Sequence, residues 1–400
     1  MVSSRNAADK ATPSQLRNHN RQLLLRAIYT GMAETRVALA QQTGLAKPTV
    51  SEVIAELMDA GLLVEEGRGP STEGGGKRPR LLRFVPTARQ VIGISITEER
   101  VEGALAFLDG RMVAQHYLDL EEPDYPTGEA AIDAVFQVLN GLIAQLDAPL
   151  LSVGVGVSGV VDAERGLVSY MPCLEWHNVP LAQRLEAYCE APVYIANSTE
   201  LAAMAQYVFG LVGDVNTLAT VLVGGGVGVG LVISGRLFHG GGEIGHLRLA
   251  HHLPGASGDL AGTPLEALLG WRAVKARARV LQREFPGDLL PGPDERLTYM
   301  HLGYAAANGD PVALALLDEL SGYLAQVFAW IIGLLRPDHI TLAGPITNAG
   351  PALLERTIAR TQQLVLPDLA QSVSYSLTES TNLVAVGAIA QALQRELGVV

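Results

Sequence analysis

The fold of this chain is decided by two stretches, APVYIANSTELAAMAQYVFG at residues 191–210 and VLVGGGVGVGLVISGRLFHGGGEIGHLRL at residues 221–249. The first predicts a buried strand at 193–195 that leads into a helix near Asn197. The second predicts two strands joined by a glycine turn at 224–226. Strands that alternate with helices are typical of an α/β body with a mixed sheet.

The bulk composition indicates a globular protein of more than one domain. The chain has 400 residues, enough for two or three domains, and apolar residues make up 48% of it. Only Cys173 and Cys189 are present, so no disulfide framework is expected. No unbroken apolar run reaches membrane-spanning length; residues 221–237 come closest, but they are short and rich in glycine. Residues 1–20 lack the apolar stretch of a secretion signal, and we expect a cytoplasmic protein with no membrane contact.

Charge is divided unevenly along the chain. Residues 1–89 carry 13 Lys/Arg against 8 Asp/Glu, whereas the remaining 311 residues carry 16 against 33. A basic N-terminal head on an acidic body indicates that only the head meets a polyanion. The excess on the head is modest, and chance would also produce it, so the local pattern has to decide.

The head has the element order of a winged helix-turn-helix. Its predicted elements are three helices and two strands, at residues 17–29, 35–43, 47–60, 62–64 and 81–85. Pro48 suits the first turn of the third helix, whereas Ala46 leaves that helix without a capping side chain. A basic, glycine-rich loop lies between the two strands.

This head predicts a DNA-binding surface. The start of the third helix would enter the major groove, and the basic loop would reach phosphates or the minor groove. The residues expected to contact DNA are Lys47, Thr49, Ser51, Arg68, Lys77 and Arg78. The alternative is a small helical domain that packs on another surface, with a solvated basic linker. The complete order of elements favours DNA.

The pattern of strands and helices after the head predicts a body of two similar halves around a cleft. We place the head at residues 1–88 and the body at residues 89–400. The first half predicts strands and helices at 90–96, 100–108, 112–120, 127–146, 151–157, 179–189 and 193–195. The second half predicts them at 216–223, 227–234, 264–280, 297–335, 339–343, 373–376 and 382–397. Thr127 is the expected N-cap of its helix.

Motifs along nearly the whole chain resemble the ROK family, which groups sugar kinases with sugar-responsive repressors. In order they are NRQLLLRAI (20–28), GVGVSGVVDAERG (154–166), the helix start at 197–206, VGGGVGVGLVISGRLFHGGGEIGHL (223–247) and Leu265-Glu266. The resemblance implies an actin-like ATPase fold of the ribonuclease H-like type, in two lobes. In the family's repressors a winged helix-turn-helix precedes it.

The resemblance also implies where a kinase site would lie, and this chain departs from it. ROK kinases carry a catalytic Asp directly after the Asn of the helix start, where this chain has Ser198. A serine hydroxyl has no suitable pKa for a general base near neutral pH. The family's acidic residue and Gly-Gly-Thr are replaced by residues 95–97, and Glu98 and Glu99 would repel phosphate. We therefore predict no catalytic residue, no cofactor and no enzyme activity.

Two features leave the kinase interpretation open. The turn at 224–226 has the backbone needed to approach a phosphate, although the missing partner loop favours a simple tight strand turn. Glu200 offers a carboxylate near the missing base, although at helical spacing it need not point the same way.

The positions that would contact a sugar match the family better than the nucleotide and catalytic positions do. The resemblance implies contacts from Asn, Glu and His side chains to sugar hydroxyls. The predicted ligand-binding residues are Gly159, Asn197, Ser198, Glu243, His246 and Glu266. Each alone would also fit an ordinary polar residue of the fold, but the matches in family order favour sugar binding.

The family's structural zinc is not expected in this chain. In the family it is held by the His that here is His246 and by three cysteines. The cysteine positions hold Ser257, Asp259 and Pro264. None is a thiolate, so we predict no metal site. His251 and His252, with Asp259, are the remaining nitrogen and oxygen ligands, but adjacent histidines chelate one ion poorly.

Together these features predict a DNA-binding transcriptional regulator, a repressor of carbohydrate-metabolism genes. Its effector would be a sugar or sugar derivative, bound in a cleft that performs no chemistry. Its other partners would be operator DNA and further copies of the chain, as a homodimer or homotetramer. The alternatives are an active ATP-dependent hexose kinase and a ligand-independent DNA-binding protein whose body only oligomerises.

Overall fold

A computed structural model describes the chain over residues 12–68, 78–120, 126–209, 215–249, 262–287, 289–292, 295–378 and 382–400. Within these ranges a helical head with a small hairpin precedes a body that contains two five-stranded sheets. The predicted α/β fold class is confirmed. Most of the predicted basic loop, residues 69–77, lies outside the described ranges.

The head consists of α1 Pro13–Tyr29, α2 Arg36–Thr43, α3 Lys47–Asp59, β1 Leu63–Arg68 and β2 Arg80–Phe84. Helix α1 begins at a capping box, in which Thr12 and Gln15 satisfy each other's backbone N–H groups. Helix α2 ends at Gly44, whose φ of +70° favours glycine. Helix α3 has no side-chain cap at Ala46, as predicted. Strands β1 and β2 pair antiparallel, and β1 runs farther than the predicted 62–64.

The first lobe is built on one five-stranded sheet. In chain order its elements are β3 Gln90–Ile96, β4 Arg100–Phe107, β5 Met112–Asp119, α4 Gly128–Ile143, β6 Leu150–Val157, β7 Val160–Asp162, β8 Leu167–Met171, β9 Trp176–Val179, α5 Leu181–Cys189 and β10 Val193–Asn197. The strand order is β10-β6-β3-β4-β5, with β3, β4 and β5 antiparallel and β6 and β10 parallel to β3. Every residue of the central strand β3 is buried.

Two details of this lobe differ from the sequence prediction. The predicted helix at 179–189 begins only at Leu181, because strand β9 precedes it and joins β7 and β8 in a separate three-stranded sheet. Thr127 does lie at the N-cap position of α4, but its hydroxyl donates to Glu175 Oε2 at 3.1 Å and makes no capping bond. The contact of Thr127 joins residues 48 positions apart in the chain, so local sequence does not specify it.

The second lobe repeats the strand pattern of the first. Its elements are α6 Ser198–Val208, β11 Leu218–Val223, β12 Val227–Ile233, β13 Arg236–Phe238, β14 Arg248–Leu249, β15 Thr263–Pro264, α7 Glu266–Leu269, α8 Trp271–Glu284, α9 Tyr299–Ala307, α10 Pro311–Leu335, β16 His339–Ala343, α11 Pro351–Leu364, α12 Pro367–Gln371, β17 Ser374–Leu377 and α13 Leu383–Leu397. The sheet order is β13-β12-β11-β16-β17, again three antiparallel strands extended by two parallel ones.

Helices α6 and α13 pack against each other between the two sheets. Glycines permit this close approach. A Cβ on Gly154 of β6 would lie 2.0 Å from a backbone carbonyl of α13, and one on Gly230 of β12 would lie 1.9 Å from a carbonyl of α6. A Cβ on Gly387 of α13 would lie 1.9 Å from a carbonyl of α6. The glycine-rich strand sequences therefore reflect direct backbone packing of these helices.

The head and the body share one buried apolar cluster. Leu24 and Leu25 of α1 belong to it, together with Leu393 and Leu397 near the end of α13. All four are at most 1% exposed, and burying each contributes roughly 1.5–3 kcal/mol before entropy is counted. Helix α13 thus runs from between the two sheets to the base of the head.

The longest described helix, α10, is a core helix of the second lobe. Its 25 residues are long and apolar enough to cross a membrane by length and composition alone. It therefore comes nearer to a membrane-spanning segment than the predicted 221–237. Leu324 and Phe328 are fully buried, and the Asp310 carboxylate caps the helix by accepting from the N–H of Ala313. Such burial is that of a helix in a protein core.

Candidate functional site

The N-terminus of α6 joins three segments of the cleft through Asn197. This residue ends β10 and caps α6, with its Oδ1 accepting from the backbone N–H of Thr199 at 2.8 Å and from its hydroxyl at 2.6 Å. Its Nδ2 donates to the carbonyl of Gly159 at 3.0 Å and to Glu243 Oε1 at 2.9 Å. Every polar atom of the amide is used, so its orientation is determined.

Ser198 follows directly as the first residue of α6. It is 2% exposed, and its Oγ lies 3.1 Å from the Oγ of Ser158. The residue after the capping Asn197 is therefore a serine whose hydroxyl hydrogen-bonds to the hydroxyl of Ser158. Neither hydroxyl can take a proton from a sugar near neutral pH.

A loop after β13 brings Glu243 and His246 to the same place. Gly242 has φ +101°, and its carbonyl accepts from the N–H of Val229 in β12 at 2.9 Å. The next turn, Ile244–His246, is a short 3-10 helix. It places His246 Nε2 3.9 Å from Glu243 Oε2, with the imidazole largely open to solvent. Glu243 therefore lies between an amide donor and an imidazole.

Glu200 holds the start of this loop. Its carboxylate accepts from the N–H of Gly240 at 3.0 Å and hydrogen-bonds to His239 Nδ1 at 2.7 Å, and the residue is buried. The sequence left Glu200 open as a substitute base. Its carboxylate is committed to the loop instead, so it positions the segment that carries Glu243.

Glu266 begins α7 and closes the cleft on the side of the glycine turn. Its Oε2 lies 3.1 Å from where a Cβ on Gly226 would be and 3.3 Å from one on Gly245. The residue is exposed by total surface area, but protein atoms crowd the carboxyl end. This partial burial raises the pKa of Glu266, the charges of Glu98 and Glu243 raise it further, and His246 lowers it.

Glu98 occupies the glycine turn that sequence analysis compared with a phosphate loop. The turn is closed by a hydrogen bond from the N–H of Gly224 to the carbonyl of Gly226 at 3.0 Å. Glu98 Oε1 lies 2.6 Å from where a Cβ on Gly225 would be, and Oε2 pairs with Arg272 at 3.3 Å. Burial, and then the Glu98 charge, raise the pKa of the neighbouring Cys173 thiol to about 11.

The structure thus brings the predicted ligand residues together. Hydrogen bonds join Asn197 directly to Gly159 and Glu243, and Ser198 is its chain neighbour. His246 lies beside Glu243, and its charge acts on Glu266. The positioning by Thr199 and Glu200 was not predicted from the sequence, which offered Glu200 only as a substitute base. A polar residue within one turn of a helix N-cap is the signal that would have indicated it.

The predicted DNA-contact residues lie on the head, with part of the set outside the described residues. Lys47 and Ser51 are exposed at the start of α3, and Thr49 is half-buried. Arg78 is exposed and has an interaction partner. Arg68 ends β1, but its side chain lies outside the description, as does all of Lys77.

One further basic residue of the hairpin is already paired. Arg36 and Arg80 both contact Glu65, at 2.6 Å for Arg80, and these two bonds lower the pKa of the Glu65 carboxyl. Arg80 therefore supports the hairpin as well as contributing charge to the head.

The residues present do not fit the zinc site that the family resemblance implies. Pro264 lies in β15 and has no donor side chain. Across the described ranges, no group of three or more His, Cys, Asp or Glu side chains could hold a metal ion. Ser257, Asp259, His251 and His252 lie outside those ranges.

The fold and the cleft define a two-lobed protein of the sugar-kinase type that carries a winged-helix head. The sequence model of the ROK family matches residues 91–395, and the chain belongs to that family. The resemblance found in the sequence is confirmed.

Named relatives share most of the chain. It is 26% identical over 380 residues to the xylose repressor of Bacillus subtilis (strain 168), across 93% of this chain and 94% of that protein. It is 27% identical over 327 residues to the DNA-binding transcriptional dual regulator NagC of Escherichia coli (strain K12), across 80% and 79%. Both are named as regulators of transcription.

Solved structures show the same fold. A ROK family transcriptional regulator, a homologue of the E. coli MLC protein, matches with TM-score 0.79 and 24% identity over 96% of this chain and 98% of its own. A ROK family glucokinase from Streptomyces griseus, solved with glucose and AMPPNP, matches with TM-score 0.66 and 22% identity over 76% and 99%. The kinase is thus covered almost completely by about three quarters of this chain.

Proposed function

We propose that this protein is a cytoplasmic, sugar-responsive transcriptional repressor without kinase activity. The observation that carries the proposal is the cleft around Asn197: its hydrogen bonds to Gly159 and Glu243 are in place, while Ser198 stands where a kinase needs a carboxylate. Such a cleft can bind hydroxyls without transferring a phosphoryl group. The exposed start of α3 supports DNA binding, and the named relatives are regulators.

The ligand residues of this proposal are Gly159, Asn197, Ser198, Glu243, His246 and Glu266. The DNA contacts are Lys47, Thr49, Ser51, Arg68, Lys77 and Arg78. The head, residues 1–88, and the body, residues 89–400, act as separate functional domains. Because helix-turn-helix proteins read paired half-sites with two heads, the working form is a homodimer or homotetramer.

Helix packing supports a route from the cleft to the head. Helix α6 begins at the ligand residues, and its backbone touches α13 at Gly387. The last turns of α13 pack against α1 through Leu393 and Leu397. A sugar that binds the N-terminus of α6 better in one arrangement than in another would shift both helices and with them the head.

A paired binding experiment tests the proposal. The purified full-length protein is heated with glucose, xylose or N-acetylglucosamine, and its affinity for the DNA upstream of its own gene is measured with and without the same sugars. At least one sugar should raise Tm by about 2–5 °C and weaken DNA binding. Asn197→Ala should abolish both effects, while Asn308→Ala, at the end of α9, should leave them unchanged.

Two outcomes would overturn it in different directions. Sugar-dependent release of ADP from ATP by the wild-type protein would restore the hexose kinase interpretation. Specific DNA binding with no response in Tm or affinity to any sugar of the panel would favour a ligand-independent DNA-binding protein whose body only oligomerises.

A further inference from the structure

Glu98 reaches from the first lobe to the glycine turn of the second. It follows β3, yet its carboxylate lies over Gly225 and pairs with Arg272 of α8. The side chain is 14% exposed, so it is a packed part of the cleft wall. A phosphoryl group that approached Gly225 from this side would meet the Glu98 carboxylate.

This carboxylate adjoins the sugar side of the cleft. Glu98 packs on Gly225, and Glu266 packs on the next residue, Gly226. The Glu98 charge acts on Glu266, as does that of Glu243. A ligand bound to Glu266 would therefore lie close to Glu98. A negative group on such a ligand would be repelled by the carboxylates of Glu98 and Glu243.

Compensating cations are scarce around this position. Arg272 is paired with Glu98, and His246 lies beside Glu243. The connection from His246 to Glu266 contains one basic residue besides histidine, Arg248, whose guanidinium donates to the carbonyl of Gly262 at 3.0 Å. Phosphate recognition in proteins relies on Arg, Lys or free backbone N–H groups. Here the N–H of Gly224 is already bonded to the carbonyl of Gly226, and the Glu98 carboxylate lies over Gly225.

We propose that Glu98 determines the ligand class of this cleft: the effector is an unphosphorylated sugar, and sugar phosphates and nucleotides are excluded. This inference rests on the proposed sugar-binding function. Glu98 acts by filling the phosphate-binding turn with its own negative charge, held there by Arg272. Neutral hydroxyls remain free to bind Glu266 and Glu243, which Asn197 orients through its Nδ2.

Matched ligand pairs test the inference. Dissociation constants of glucose and glucose 6-phosphate, and of N-acetylglucosamine and its 6-phosphate, are measured by calorimetry on the full-length protein. The neutral member of a binding pair should bind at least about tenfold more tightly. In Glu98→Gln, which keeps the shape and removes the charge, this ratio should fall by about threefold or more. Glu355→Gln removes the same charge at an exposed position of α11 and should leave the ratio unchanged.

A second measurement needs no variant. Raising the salt concentration from about 0.05 M to about 0.5 M should reduce the ratio of the two dissociation constants in the wild type, because screening weakens the repulsion of the sugar phosphate. A phosphorylated sugar that binds as tightly as its neutral partner would overturn the inference and leave sugar sensing intact. A ratio that does not change in folded Glu98→Gln would overturn the role of Glu98. If no member of either pair binds and xylose does not raise Tm either, the proposed function falls, and the inference falls with it.

Discussion

The hydroxyl of Ser158 lies 3.1 Å from the hydroxyl of Ser198. The first residue follows β6 of the first lobe, and the second begins α6, so the pair joins two segments at the base of the cleft. Each hydroxyl gives the other a partner, and Ser198 is 2% exposed. The serine that replaces the acid therefore has a hydrogen-bond partner inside the protein.

Ser198→Asp should not create a kinase. A correctly placed base is worth about 10²–10⁴-fold in rate, but only when a phosphoryl group can be bound beside it. Glu98 still covers Gly225 in this variant. A coupled assay of ADP release with glucose and ATP should show no turnover above that of Ser198→Ala. Glucose-dependent turnover in the Asp variant alone would show that the nucleotide side is intact.

Asn197→Ala should weaken both the fold and the cleft. The variant loses the cap of α6 and the bonds to Gly159 and Glu243. Loss of an Asn cap costs about 1 kcal/mol, and the freed Glu243 adds to this, so the free energy of unfolding should drop by about 1–2 kcal/mol. Urea unfolding measures the loss. A change below about 0.3 kcal/mol would contradict the bonding described here.

Leu397→Ala should uncouple the head from the cleft. Leu397 is 1% exposed in the cluster shared with α1. Truncating a buried Leu costs about 2–5 kcal/mol, and the cavity would loosen the contact between α13 and the head. The ratio of DNA affinities with and without sugar should move toward one, while sugar still raises Tm. Leu364→Ala, at a 48% exposed position, is the control, and an equal effect there would argue against α13 as the route.

Lys47→Ala should reduce DNA affinity about equally for specific and unrelated sequences. Lys47 is exposed at the first turn of α3, where a cation meets the phosphates beside the major groove. Loss of one phosphate contact lowers the slope of log affinity against log salt by about 1. Fluorescence anisotropy across a salt series measures it. Arg283→Ala, an exposed basic residue of the body, should not change the slope; a matching change there would place the DNA surface elsewhere.

His339 should make the protein less stable as the pH falls below its ordinary pKa of 6.5. Burial lowers the pKa of this His, whose Nδ1 and Nε2 lie 2.7 Å from the hydroxyls of Ser374 and Ser376. Ser374 gives its own proton to the carbonyl of Asp338, so Nδ1 donates and Nε2 accepts in the neutral ring. The unfolded chain takes up a proton more readily than the folded one between 6.5 and the lowered pKa.

The stabilisation by His339 is therefore complete above pH 6.5 and declines as the pH falls toward the lowered value. Urea unfolding at about pH 7.5 and about pH 5.5 should show a steeper loss for the wild type than for His339→Gln. Equal slopes would mean that another group controls stability in this window.

Local sequence patterns predicted many of the helices and strands of this fold. The glycine-rich strands, most of the helices and the hairpin of the head were predictable, because alternation, helical periodicity and turn residues act over a few positions. The sheet of β7, β8 and β9 was not predicted, since its strands are short and gain their stability only from pairing. The hydroxyl of Thr127 likewise prefers a distant partner, Glu175, to the local cap.

The sequence by itself determined the family, the two-lobed body and the identity of the polar residues available to a ligand. It also determined that Ser198 stands where the family's kinases have an acid, because the chemical identity of a side chain does not depend on the fold. Tertiary structure decided what these residues do to one another. It paired Ser198 with Ser158, committed Glu200 to a loop and placed Glu98 over Gly225. Each of these contacts joins residues at least 40 positions apart in the chain, so local sequence patterns do not specify it.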